Sequence, residues 1–256
     1  MKKKLFTVFL ATIALLFNYS EITAQSKESM SKIRNIILVH GAFVDGSGWK
    51  GVYDILIRKG YHVVIAQIPL TSLQDDAATV RRALDKIDGS VVLVGHSWGG
   101  AVITEVSNHS KVAALVYVTA FQPDKSEDAW KWVSSQPALP ENGILPPDKE
   151  GFLYYDKEKF HAGFAGNLSK EQAIFMAESQ KPIAAVCFTT PLSAAEWHTK
   201  PTFGIVPTAD KSINPLILRT MYKRSGTKIT EIKGGCHAVY MSHPKEVANV
   251  IISATI

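Results

Sequence analysis

From Lys32 onward the chain alternates between two hydrophobic patterns. Short, nearly continuous apolar runs rich in Val and Ile occupy residues 33–39 (broken by Arg34 and Asn35), 62–65, 90–94 and 113–118. Weaker runs follow at 202–206 and 228–232. Such runs suit strands buried on both faces of a parallel sheet, where neither face has to meet water. Between them, apolar residues recur at helical spacing. Residues 49–59 carry Val52, Ile55 and Leu56 and stop at Gly60, a residue free to take the left-handed turn that closes a helix. Residues 75–88 carry Ala78, Leu84 and Ile87, place Arg81 and Arg82 outward, and stop at Gly89. Residues 215–225 and 244–252 each open on a proline, at a position where its missing N–H costs nothing. This alternation predicts an α/β fold with about six mostly parallel strands flanked by helices.

The alternation breaks between Phe121 and Lys200. That stretch is rich in proline and in aromatic residues such as Trp130, Trp132, Tyr155, Phe160 and Phe164. Ser169 followed by Gln172 reads as a capping box opening a helix over 173–180. A structureless loop of this length is improbable inside a compact domain, so a mostly helical cap insertion over about 121–200 is expected. Its aromatics, with Trp98, suggest an apolar pocket.

Length and composition fit one globular domain: 256 residues with 46% hydrophobic content can bury a sizeable core. The first 24 residues read differently. Lys2, Lys3 and Lys4 precede an apolar run from Leu5 to Phe17, and Ala24 offers a small residue for cleavage. This is the pattern of a secretory signal peptide, leaving a mature domain over 25–256. The run is short for a membrane span, which needs roughly 20 residues, so no stable membrane insertion is expected after its removal. The destination would be periplasmic or extracellular. Taking Lys2, Lys3, Lys4 and Glu21 away from 28 basic and 23 acidic residues leaves a net charge of +3, too little to suggest nucleic acid. Cys187 and Cys236 leave both a disulfide and two free thiols open. No metal-ligand spacing occurs, and neither a metal nor a cofactor is called for. A homodimer is left open.

The chemistry centres on Val91-Val92-Leu93-Val94-Gly95-His96-Ser97-Trp98-Gly99-Gly100. A serine hydroxyl is a weak nucleophile until a base takes its proton. The G-x-S-x-G spacing after a strand and before a helix makes a sharp turn that lifts Ser97 above the sheet edge. The Trp98 N–H, at the helix start, would then face a developing oxyanion. A second donor is expected from the loop after the first strand, His40-Gly41-Ala42-Phe43, as the N–H of Ala42 or Phe43. His40 more naturally braces that loop, since it precedes the serine. The base should follow the acid, and the acid the serine. His237, just after the last strand in Gly235-Cys236-His237, fits; His243 and His198 compete. Asp210, just past the penultimate strand, fits as the acid that orients the imidazole. Asp124 is the runner-up, and Asp45 and Asp54 read as ordinary surface residues.

On these stretches the chain resembles α/β hydrolases of the branch that holds plant methylesterases, hydroxynitrile lyases and small bacterial esterases. VLVGHSWGGAVITE, PLTSLQDD, ALVYVTAFQPD, PTADKSINP and IKGGCHAVYMSHP carry the likeness, which spans Ile36 to Pro244. The resemblance implies Asp210, in its T-x-D pattern, as the acid and His237 as the base. Lyases of the rubber-tree type carry Thr where this chain has Gly41, and Lys where it has Ala238; both departures favour an esterase. The expected activity is therefore cleavage of a small-molecule carboxylic ester through an acyl-enzyme. A carbon–carbon lyase and a silent ligand-binding protein are the alternatives.

Overall fold

The computed structural model describes residues 33–256, so the segment read as a signal peptide lies outside the described residues. Residues 34–255 form one compact unit. Six parallel strands make the main sheet: β1 (Asn35–Val39), β2 (His62–Ala66), β3 (Val91–His96), β4 (Val112–Val118), and then, beyond a long excursion, Thr202–Pro207 and Lys228–Ile232. Between the first four run α1 (Lys50–Arg58), α2 (Leu73–Asp85) and α3 (Gly99–Glu105). In the excursion lie α4 (Ala129–Val133), β5 (Phe152–Leu153), α5 (Lys157–Gly163), α6 (Lys170–Glu178), β6 (Ile183–Ala184) and α7 (Val186–Thr189). The two late sheet strands are therefore β7 and β8, followed by α8 (Pro215–Arg224) after β7, and α9 (Val239–Ser242) and α10 (Pro244–Ser253) after β8.

The sheet order is β2-β1-β3-β4-β7-β8. The chain moves outward from β1 to β2, then returns and moves the other way from β3. The loops leaving β1 and β3 therefore part at adjacent strand ends, which in open parallel sheets creates a crevice for ligands. Register holds those ends level: Val39 pairs with Gly95, and His96 with Val118. The fully apolar runs are the central strands. Every residue of β3 is buried, whereas β8 lies at an edge and keeps Lys228, Ile229 and Glu231 exposed. This explains its weaker signal in the sequence.

The helices differ from expectation at their ends. The helix expected over 75–88 starts at Leu73, because the Ser72 side chain accepts the Asp75 N–H, and it ends at Asp85. Arg81 is not simply outward; its guanidinium bonds the Glu105 carbonyl and Asn108 Oδ1. The helix expected from Trp49 begins as a 3-10 turn, Gly46–Trp49, capped by Asp45. In the excursion, the capping box of Ser169 and Gln172 is formed and opens α6 at Lys170. The excursion also holds the antiparallel pair β5–β6, which a mostly helical reading omits.

Candidate active site

Glycine makes the turn after β3 possible. A Cβ at Gly95 would strike the backbone of Gly99 and Gly100, and one at Gly99 would lie 2.7 Å from the His40 carbonyl oxygen. Ser97 itself sits at φ 52°, a left-handed conformation that costs a non-glycine residue roughly 1 kcal/mol or more. The turn is held by the Ser97 N–H on the Val118 carbonyl and by the Gly100 and Phe121 N–H groups on the Ser97 carbonyl. The loop after β1 lies against it: a Cβ at Gly41 would come within 2.7 Å of the Ser97 Cβ. Phe43 in that loop is also left-handed, at φ 65°. Among the described residues, no hydrogen bond within the protein takes the backbone N–H of Ala42, Phe43 or Trp98.

Asp210 and His237 come together beyond β7 and β8. His237 Nδ1 donates to Asp210 Oδ2 at 2.8 Å, and both side chains are buried. A carboxylate can only accept, so the proton sits on Nδ1 and leaves Nε2 as the basic nitrogen. Asp210 is held on all sides. Thr119 Oγ1 also donates to Oδ2, while the N–H groups of Ser212 and Ile213 bond Oδ1 at 2.8 and 2.9 Å. Thr119, the residue after β4, stands at φ 44°, an unusual conformation for a β-branched residue. Ser97 and His237 line one cavity with Ala42 and Phe43. Its walls add Phe121, Tyr155, Phe164, Phe188 and Ile213, and include no Asp, Glu, Lys or Arg.

The competing residues are engaged elsewhere. His40 Nδ1 donates to the Gly41 carbonyl, and His40 Nε2 accepts the Ile68 N–H, so neither nitrogen is available as a base. Burial pushes its pKa down to about 4. The neutral ring's stabilisation is therefore present above the unfolded value near 6.5 and is lost as pH falls towards 4. Wild type should thus lose up to about 3 kcal/mol from this residue over that window. Urea midpoints at pH 7, 5.5 and 4 check it, His40→Asn being expected to fall less steeply. Asp76 works in the opposite sense, since burial lifts it to about 6, and the variant comparison isolates His40. Asp124 and His198 pair with each other: His198 Nε2 lies 2.9 Å from Asp124 Oδ1, at a part-exposed site outside the cavity that Ser97 lines. His243 stands at the entry to α10 and bonds Ser242. Asp45 caps the 3-10 turn and Asp54 pairs with Lys50. Both cysteines are buried free thiols.

Several residues around the site carry no local signal in the sequence. His96 Nε2 donates to the His237 carbonyl, and burial drives the His96 pKa well down. The Cys236 N–H is held at 2.6 Å by Asn167 Oδ1. The ring of Trp98 does not line the cavity, contrary to the pocket expected from its aromatic character. It is fully buried, with Nε1 donating to Asp76 Oδ2 at 2.7 Å; Asp76 Oδ1 in turn accepts the Leu70 N–H at 2.7 Å. The second aspartate of PLTSLQDD therefore ties the residue after Ser97 to the loop beyond β2. Asp76→Asn should lower kcat about tenfold, and should add little in a Trp98→Phe background, because both changes cut the same tie. Turnover of p-nitrophenyl acetate by the two single variants and the double variant checks this; additive losses would sink the coupling. The cap aromatics divide. Tyr155, Phe160 and Phe164 pack edge-to-face or stacked, and Phe164 lies 4.7 Å from the His237 ring. Trp130 and Phe175 are exposed.

This fold and crevice are those of a known class. Residues 36–250 match the Alpha/beta hydrolase family, and the chain belongs to it. Within the family it is similar to Salicylic acid-binding protein 2 of Nicotiana tabacum, at 25% identity over 85% of this chain and 95% of that protein. It is also similar to a Carbendazim hydrolyzing esterase of Nocardioides sp., at 28% identity over 64% of this chain and 65% of the relative. The crystal structure of polyneuridine aldehyde esterase superposes with a TM-score of 0.75, at 19% identity, covering 87% of this chain and 99% of the other. A plant methylesterase, Methylesterase 9 of Arabidopsis thaliana, is also among its relatives, in keeping with the branch to which the sequence motifs point.

Proposed function

We propose that the protein is a serine esterase that cleaves a carboxylic ester through an acyl-enzyme. The observation that carries this reading is the Asp210–His237 pair, opening with Ser97 onto one uncharged cavity. In the proposed reaction Ser97 Oγ attacks the ester carbonyl as His237 Nε2 takes its proton. The negative charge that develops on the carbonyl oxygen is met by the backbone N–H of Trp98 and those of Ala42 and Phe43. His237 passes the proton to the departing alcohol, and water then cleaves the acyl–Ser97 bond by the same route. Asp210, fixed by four donors, keeps the imidazole in the tautomer this requires. Relatives bearing the names hydrolase and esterase support an ester as the substrate. Lys2–Lys4 and the apolar run after them support action outside the cytoplasm.

The alternative chemistry on this scaffold, carbon–carbon cleavage, gives a clean discriminating experiment. Purified protein is offered a panel of methyl, aryl and lactone esters, and separately mandelonitrile, with acid release and cyanide release measured. Acid release from at least one ester without cyanide is expected. Cyanide release with no ester turnover would replace the reading.

A further inference from the structure

Beside the catalytic cavity lies a second, wider groove. It runs between Trp130 and Val133 on α4, the segment from Ile144 to Pro147, and Ala185 to Thr189 at α7. The catalytic cavity offers about 60 Å³ and the groove about 450 Å³. Five residues wall both: Val133, Ala138, Asn142, Ile144 and Phe188. The groove, like the cavity, has no Asp, Glu, Lys or Arg in its lining. Trp130 and Leu145, both on it, are 54% and 42% exposed. Large apolar side chains held open to water along a concave surface mark a place where an apolar ligand is taken up.

We infer that this groove receives the bulky, uncharged, apolar half of the ester. The inference rests on Ser97 being the nucleophile that cleaves it. An ester whose carbonyl carbon lies at Ser97 has two halves. A space of about 60 Å³ holds on the order of four waters, enough for a short group of a few heavy atoms. Any larger half has to leave the cavity, and the shared walls mark where it leaves. The lining decides its chemistry. With no cation to meet a carboxylate or phosphate and no anion to meet an amine, a charged half would be desolvated without a partner. Flat aromatic groups suit the Trp130, Phe188 and proline surfaces. The small ester expected from the sequence is thus small on one side of the carbonyl and extended on the other.

Binding and turnover are measured separately so that the two readings fail separately. Ser97→Ala protein, which holds an ester without cleaving it, is titrated with ethyl acetate, methyl 2-naphthoate and 2-naphthyl acetate. At least one naphthyl ester should bind tenfold or more tighter than ethyl acetate. Adding Leu145→Asp or Trp130→Ser should remove most of that preference. The two positions are exposed and lie on separate segments, so a folding defect in one, read by circular dichroism, leaves the other as the test. Equal affinities for all three esters, or a preference untouched by both folded variants, would overturn the groove. Preferential binding that Leu145→Asp abolishes, with no ester turned over by the unsubstituted enzyme, would keep the groove as an apolar ligand site and overturn the esterase reading instead.

Discussion

Ser97→Ala is expected to lower kcat on p-nitrophenyl acetate by about 10⁴- to 10⁶-fold, some 5–8 kcal/mol of barrier, while leaving the folded protein intact. The size follows from what the hydroxyl does. Without it there is no acyl-enzyme, and the remaining oxyanion donors can help only a direct attack by water. The fold should tolerate the change. Alanine keeps the Cβ that packs beside Gly41, and the bonds that hold the turn use the Ser97 backbone rather than its side chain. A residual activity within tenfold of wild type would mean that another nucleophile does the work. The assay is steady-state turnover, with circular dichroism to show that both proteins are folded.

Asp210→Asn is expected to cost about 10⁴-fold in kcat, with KM little changed. The physical reason is tautomeric. Asp210 Oδ2 accepts from both His237 Nδ1 and Thr119 Oγ1, and Oδ1 accepts two backbone N–H groups. An amide must put its NH₂ on one of these two sides. Facing Ser212 and Ile213, it meets two donors with a donor; facing His237, it forces Nδ1 to accept and moves the ring proton to Nε2, where the base is needed bare. Either outcome also leaves buried donors short of an acceptor, so a modest loss of stability should accompany the kinetic loss. Thermal melts and kcat measured on the same preparation separate the two effects. A variant with near-normal kcat would remove Asp210 from the mechanism.

The sheet was legible in the sequence because its signal is local. Four runs of Val and Ile need no partner to be recognised, and the central ones are continuous because both faces are buried. Ser97, Asp210 and His237 were legible because each lies just beyond a strand, and parallel strands deliver their ends to one edge. What escaped depends on residues remote in sequence. α2 stops at Asp85, with the Lys111 ammonium on the carbonyls of Leu84, Asp85 and Ile87, a cap that no reading of residues 75–89 could supply. Thr119 reaches Asp210 across 91 positions. The pocket role expected of Trp98 fails because its indole donates to Asp76, and a buried carboxylate partner leaves no periodic trace in the sequence. β5 and β6 are two residues each, below any pattern length.

The central claim is that Ser97 is a hydroxyl made nucleophilic by the groups gathered around it, rather than a serine that merely shapes a turn. Intact-protein and peptide mass spectrometry after treatment with a fluorophosphonate tests this directly. One phosphonyl adduct per chain is predicted, on the peptide that contains Ser97, and absent from His237→Ala. No adduct, or an adduct on a different residue, would contradict the account.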